Sequence, residues 1–134
     1  MNSITSKPRL FAPTILVVGT ALLICFHAAV LLHVIPSSVV WSGGQRIQGD
    51  IAVLETISIV VAVIFLWISL SARRAILLGR PSRGVRWAAI GLTAVLVLSV
   101  VANIASANPL EQLIFIPVSA VLAACAFVTT RRLQ

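Results

Sequence analysis

Glu55, His33 and Asn103 are ill suited to the apolar stretches around them, and with Arg46 of the nearby connector their types could bind a ligand or hold a proton. A carboxylate at the centre of a membrane span costs roughly 2.5–3.5 kcal/mol on insertion scales and less near the interface. Such a group persists where it is protonated, paired or open to water, and proton handling requires the same conditions. Glu55 follows Asp50 by five residues, about 7.5 Å along a helix axis. His33 lies two residues from the expected end of the preceding span, Asn103 about one turn inside the end of the third, and Arg46 on the connector between the first two. Antiparallel helices joined by a short connector pack together. The four residues are therefore expected to form one outer-leaflet cluster, with Trp41, Asp50, Asn108, Glu111 and Gln112 around its rim. A structural role competes with this: Arg46 and Glu55 as an ion pair pinning the loop, His33 bonded to a loop carbonyl, Asn103 joining two helices.

Other chemistry is sparse. His27 stands alone near the middle of the expected first helix, six residues before His33, so the two point about 120° apart at 100° per residue. They do not form the i, i+4 pair that grips a metal on one helix face, and a bis-histidine haem needs histidines from two helices. Cys25 and Cys125 fall in different apolar stretches with no CxxC spacing, which reads as packing rather than redox or zinc chemistry. There is no phosphate-binding glycine loop, HExxH or GxSxG motif. No catalytic residue, metal site or cofactor is expected, and the balance leans away from an enzyme.

The elements that must position these residues follow from composition. Hydrophobic residues make up 60% of the 134 and charged ones 10%, and mean hydropathy is +1.11. Soluble domains are roughly 45–50% apolar. Four apolar stretches predict spans over about 13–35, 51–71, 87–107 and 110–130, an all-α four-helix transmembrane bundle forming a single domain, 1–134. Pro13 suits a first helical turn, Pro36-Ser37-Ser38 an ending, and Asp50 an N-cap. Gly79-Arg80-Pro81-Ser82 breaks the second helix from the third, after a possible extension through Leu78. Asn108-Pro109 turns the chain into the fourth, where Pro117 predicts a kink. The run from Pro13 to Ile35 exceeds the roughly 7–15 residues of a signal-peptide core, so a retained span is expected.

Nine of the ten basic residues fall on one side of this map: Lys7 and Arg9, then Arg73, Arg74, Arg80, Arg83 and Arg86, then Arg131 and Arg132. Arg46, Asp50, Glu55 and Glu111 fall on the other. Short loops rich in Lys and Arg stay cytoplasmic, which places both termini of a multi-pass membrane protein in the cytoplasm. The net charge of +7 is explained by orientation and by anionic lipid headgroups at the cytoplasmic face rather than by nucleic acid. Trp41, Trp67 and Trp87 read as interfacial belt residues.

The segment from His33 to Arg46, with Trp41-Ser42-Gly43-Gly44, and the following Leu54-Glu55-Thr56-Ile57-Ser58 together resemble a group of small bacterial integral membrane proteins. Those have four spans, a Trp-Gly-Gly type outer loop and a Glu-x-Ile-Ser opening to the second helix. The inserted Ser42 departs from the tighter loop form. The resemblance implies that the outer loop and the start of the second helix act as one unit, and it brings no activity with it. Three functions are consistent with these residues. The absence of catalytic motifs favours an accessory or assembly subunit, acting through a membrane-protein partner or as a homo-oligomer. The alternative is an oligomeric proton-coupled transporter or ligand-binding protein using the Glu/His/Asn cluster. The third is a membrane enzyme acting on a lipid or quinone.

Overall fold

The computed structural model describes residues 7–40 and 50–134 and is all-helical. Four helices follow one another: α1 (Lys7–Leu31), α2 (Ile51–Leu78), α3 (Arg83–Ile104) and α4 (Pro109–Arg131), with a short 3₁₀ turn at Ser37–Val39 after α1. Each of the four is long and apolar enough to cross a membrane, the build of a small multi-pass membrane protein.

Side-chain bridges fix the antiparallel arrangement. Arg73 on α2 donates to Thr14 of α1 at 3.3 Å, while His27 and Glu55 meet at the other end of the same pair. Thr93 lies 3.2 Å from Thr130, and Asn103 donates to Ser119 at 2.8 Å, which runs α4 back along α3. α1 packs chiefly on α2, α3 chiefly on α4, and α2 scarcely touches α4. One end of the bundle is therefore basic, with the α2–α3 connection and both outermost helix ends. The other is acidic, with Asp50, Glu55 and Glu111.

Packing follows the logic of hydrocarbon rather than water. Lipid tails are as apolar as leucine, so large side chains gain little by hiding from them, and small residues let backbones approach. Phe11, Trp67, Trp87 and Leu98 are accordingly exposed, whereas Ala62, Ala72, Ala89 and Ala126 are buried. The main core layer joins Leu16, Leu92, Leu96 and Leu122 with Ala123 and Ala126. A second layer at the basic end joins Ala72, Ala75 and Ala89 with Leu133. Gly19 lets α1 lie against Leu122 of α4: a Cβ there would clash with Leu122 Cδ2. The buried hydroxyls of Thr20, Ser69 and Thr129 donate to carbonyls one turn back in their own helices, so they leave no unmet hydrogen bond between the apolar helices.

Helix ends differ from expectation where capping outweighs hydropathy. The described part of α1 runs from Lys7, so Pro13 lies inside the helix, and it ends at Leu31, four residues before the expected stop. There His33 adopts φ +58°, Val34 N–H donates to Ala29 C=O at 2.8 Å, and His33 N–H donates to Val30 C=O at 3.0 Å. This is a Schellman ending with histidine where glycine is usual. α2 ends in the same way on Gly79, at φ +60°, with Arg80 N–H donating to Ala75 C=O at 3.0 Å. The 28 residues of α2 reach about 42 Å, longer than a hydrocarbon core of roughly 30 Å. α3 runs from Arg83 to Ile104, against an expected start near Val85-Arg86-Trp87 and an end near Ala107, and α4 passes through Pro117 as one helix.

Candidate functional site

The polar centre of the bundle is Glu55 with His27. Glu55 sits one turn inside α2 and is fully buried, at 0% exposure. Its Oε2 lies 2.7 Å from Nδ1 of His27, one turn from the end of α1. The pairing is possible because α1 ends at Leu31. Ending there brings His27 about 6 Å closer to the helix end than a helix running to Ile35 would, to the depth of Glu55 on the antiparallel neighbour. The histidine that faces Glu55 is thus His27, whose sequence setting had suggested isolation. His33, expected in that place, is exposed and serves as the residue that terminates α1.

His27 also forms part of the wall of a cavity of about 540 Å³ at the acidic end, between the α1–α2 and α3–α4 pairs. Phe65, Asn103, Glu111, Phe115 and Ser119 line it as well, and Val40, buried in the segment after α1, closes part of it. Phe26, beside His27, stands edge-on to Phe115 of α4 with ring centroids 5.2 Å apart, and so ties the histidine's turn to the opposite wall. With Nδ1 engaged by Glu55, Nε2 is the ring's other polar atom. The pair can hold one proton while staying neutral overall, as imidazole with carboxylic acid or imidazolium with carboxylate.

Asn103 does what its type suggested. Its Nδ2 donates to Ser119 Oγ and to Phe115 C=O of α4, joining the two helices while it lines the cavity. Ser119 in turn donates to Phe115 C=O. The expected rim residues chiefly shape helix ends. Asp50 Oδ1 accepts from Ala52 N–H at 2.9 Å, and Asn108 Oδ1 accepts from Leu110 N–H at 3.1 Å, each as an N-cap. Gln112 Nε2 donates to the carbonyls of Ile104 and Ser106, which the end of α3 leaves without helical donors. Glu111 accepts from Ser106 Oγ and also lines the cavity. Of the expected cluster, Glu55 and Asn103 belong to this region, Glu111 joins the wall, and His27 replaces His33. Arg46 and Trp41 lie outside the described residues, as does most of the Trp-Gly-Gly type loop.

The signal that could have found His27 was its spacing from the helix stop, had that stop been placed at His33. Histidine tolerates the left-handed region better than most side chains, but Pro36 is the stronger mark in sequence. No known protein family, no curated protein and no solved structure matches the chain, so its function is argued from its own residues.

Proposed function

We propose that this is a multi-pass protein of the bacterial inner membrane, with both termini cytoplasmic, that binds a small ligand in the cavity near its outer face. The basic end, with its arginines, then lies among the anionic headgroups of the cytoplasmic leaflet. The observation that carries the reading is the pair at the cavity wall: a fully buried carboxylate 2.7 Å from a histidine that lines about 540 Å³ of space. Intramembrane ionisable groups are expensive, and they concentrate at ligand and proton pathways. The volume falls within the roughly 300–1,000 Å³ typical of small-molecule sites. A neutral, one-proton pair also supplies what a proton-coupled transporter would need, with ligand and proton competing for His27.

The test is a stabilisation screen of the purified chain with membrane-soluble small molecules, repeated on Glu55→Gln. A ligand that raises the unfolding temperature of the wild type and loses that effect, together with its pH dependence, in the variant supports the proposal. A response that Glu55→Gln leaves unchanged overturns it. If no ligand stabilises the chain and a stoichiometric membrane partner or a second copy co-purifies instead, the accessory-subunit reading takes its place.

A further inference from the structure

We infer that the ligand is a lipid-soluble ring bearing hydrogen-bond donors, of the hydroquinone or phenol class, which reaches the cavity sideways between α2 and α3. This rests on the cavity being a ligand site.

The route follows from residues that both line the cavity and lie on the outside of the bundle. Ile57 and Val61 of α2 are 55% and 39% exposed, and Ser99 and Ala102 of α3 are exposed as well. A side chain that is cavity wall and bundle surface at once marks a mouth, and this one opens between helices that face lipid. At the basic end the same two helices are closed by Ala72, Ala75 and Ala89. The opening is therefore confined to the acidic half, and a molecule dissolved in that leaflet can reach it without crossing water.

The chemistry of the head follows from the wall. With the shared proton released, Nδ1–H of His27 donates to the Glu55 carboxylate and Nε2 is an acceptor. Asn103 spends its Nδ2 on α4, leaving Oδ1 as an acceptor with no hydrogen bond among the described residues. Glu111 adds carboxylate oxygen to the same wall. Glu111 already accepts from Ser106 Oγ, but a purely apolar ligand would leave Nε2 and Oδ1 desolvated without compensation. A hydroxyl donor satisfies them. Phe65 and Phe115 supply aromatic wall for a ring, which favours edge-to-face and offset contacts worth about 0.5–1.5 kcal/mol beyond area burial. The apolar tail of such a molecule leaves through the mouth past Ile57 and Val61.

The experiment is equilibrium binding to the full chain in nanodiscs, with a decyl-substituted hydroquinone kept reduced under anaerobic conditions and its bis-methyl ether as the matched probe without donors. The hydroquinone is expected to bind at least tenfold more tightly than the ether, and His27→Phe/Glu55→Leu to abolish that preference. Ile57→Trp and Ala102→Trp, both at the exposed mouth, are expected to slow association severalfold. Equal binding of hydroquinone and ether overturns the head assignment without needing any variant. Unchanged association rates in both tryptophan variants overturn the lateral route. If the hydroquinone fails while a different compound stabilises the wild type but not Glu55→Gln, this inference falls and the ligand-binding reading stands. If no compound stabilises the chain, both fall.

Discussion

Nδ1 of His27 and Oε2 of Glu55 lie 2.7 Å apart across the α1–α2 interface, 28 positions apart in sequence, with the carboxylate sealed from solvent and the imidazole at a cavity wall. The contact does two things at once. It gives the buried carboxyl group a hydrogen-bond partner, and it places a polarised ring where a ligand would meet it.

These two roles separate on mutation. Glu55→Leu alone strips His27 of its acceptor and is expected to destabilise the fold by about 1–3 kcal/mol. Adding His27→Phe removes the stranded donor as well, and the double variant is expected to be more stable than the single, because apolar groups of similar volume often replace a buried pair at little cost. Unfolding in mixed micelles measures both. Ligand response should be absent in the double variant even where its stability is recovered. If the second substitution only deepens the loss, the two residues are not coupled.

His33 gives the opposite expectation. A non-glycine residue in the left-handed region carries roughly 1–2 kcal/mol of strain, so His33→Gly should raise stability by up to about 1 kcal/mol, while His33→Val should lower it. Ligand binding should be unchanged in His33→Gly. A loss of binding there would return His33 to the site.

At the α1–α4 crossing, Gly19→Ala places a methyl group against Leu122, which is buried at 2% exposure and must shift. Overpacking of this kind costs about 1–3 kcal/mol. Leu122→Ala alone should also destabilise, by opening a cavity, but in combination with Gly19→Ala the losses should be clearly less than additive. Additive losses would mean that the two residues do not share the space.

Orientation can be checked by accessibility labelling after Cys25 and Cys125 are replaced. A cysteine at Ser82 in the α2–α3 connection is expected to react only with reagent admitted to the cytoplasm. One at Ala107, between α3 and α4, should react from outside. The reverse pattern would invert the topology.

The helical architecture was legible in sequence because hydropathy accumulates over some twenty residues, and one misplaced end hardly changes the sum. The contact of Glu55 with His27 was not legible, because such a contact depends on depth and depth depends on where each helix stops. The end of α1 is set by three or four backbone hydrogen bonds around His33, a local choice that the apolar run through Ile35 conceals. Asn103 was readable as a bridge between helices because a carboxamide in a span needs a partner and α4 returns alongside α3. The capping roles of Asp50 and Asn108 were readable for the same local reason, each standing immediately before an apolar run.

Leu133 has a bearing on how the bundle assembles. It is 3% exposed and follows the last span, yet it completes a layer whose other members, Ala72, Ala75 and Ala89, belong to α2 and α3. Those alanines emerge during synthesis long before their cover. The seam between the second and third helices at the basic end must therefore wait, with its small side chains uncovered, until the fourth helix has been inserted and residue 133 has folded back. A chain in which that layer has not closed would present an open seam of small side chains between α2 and α3.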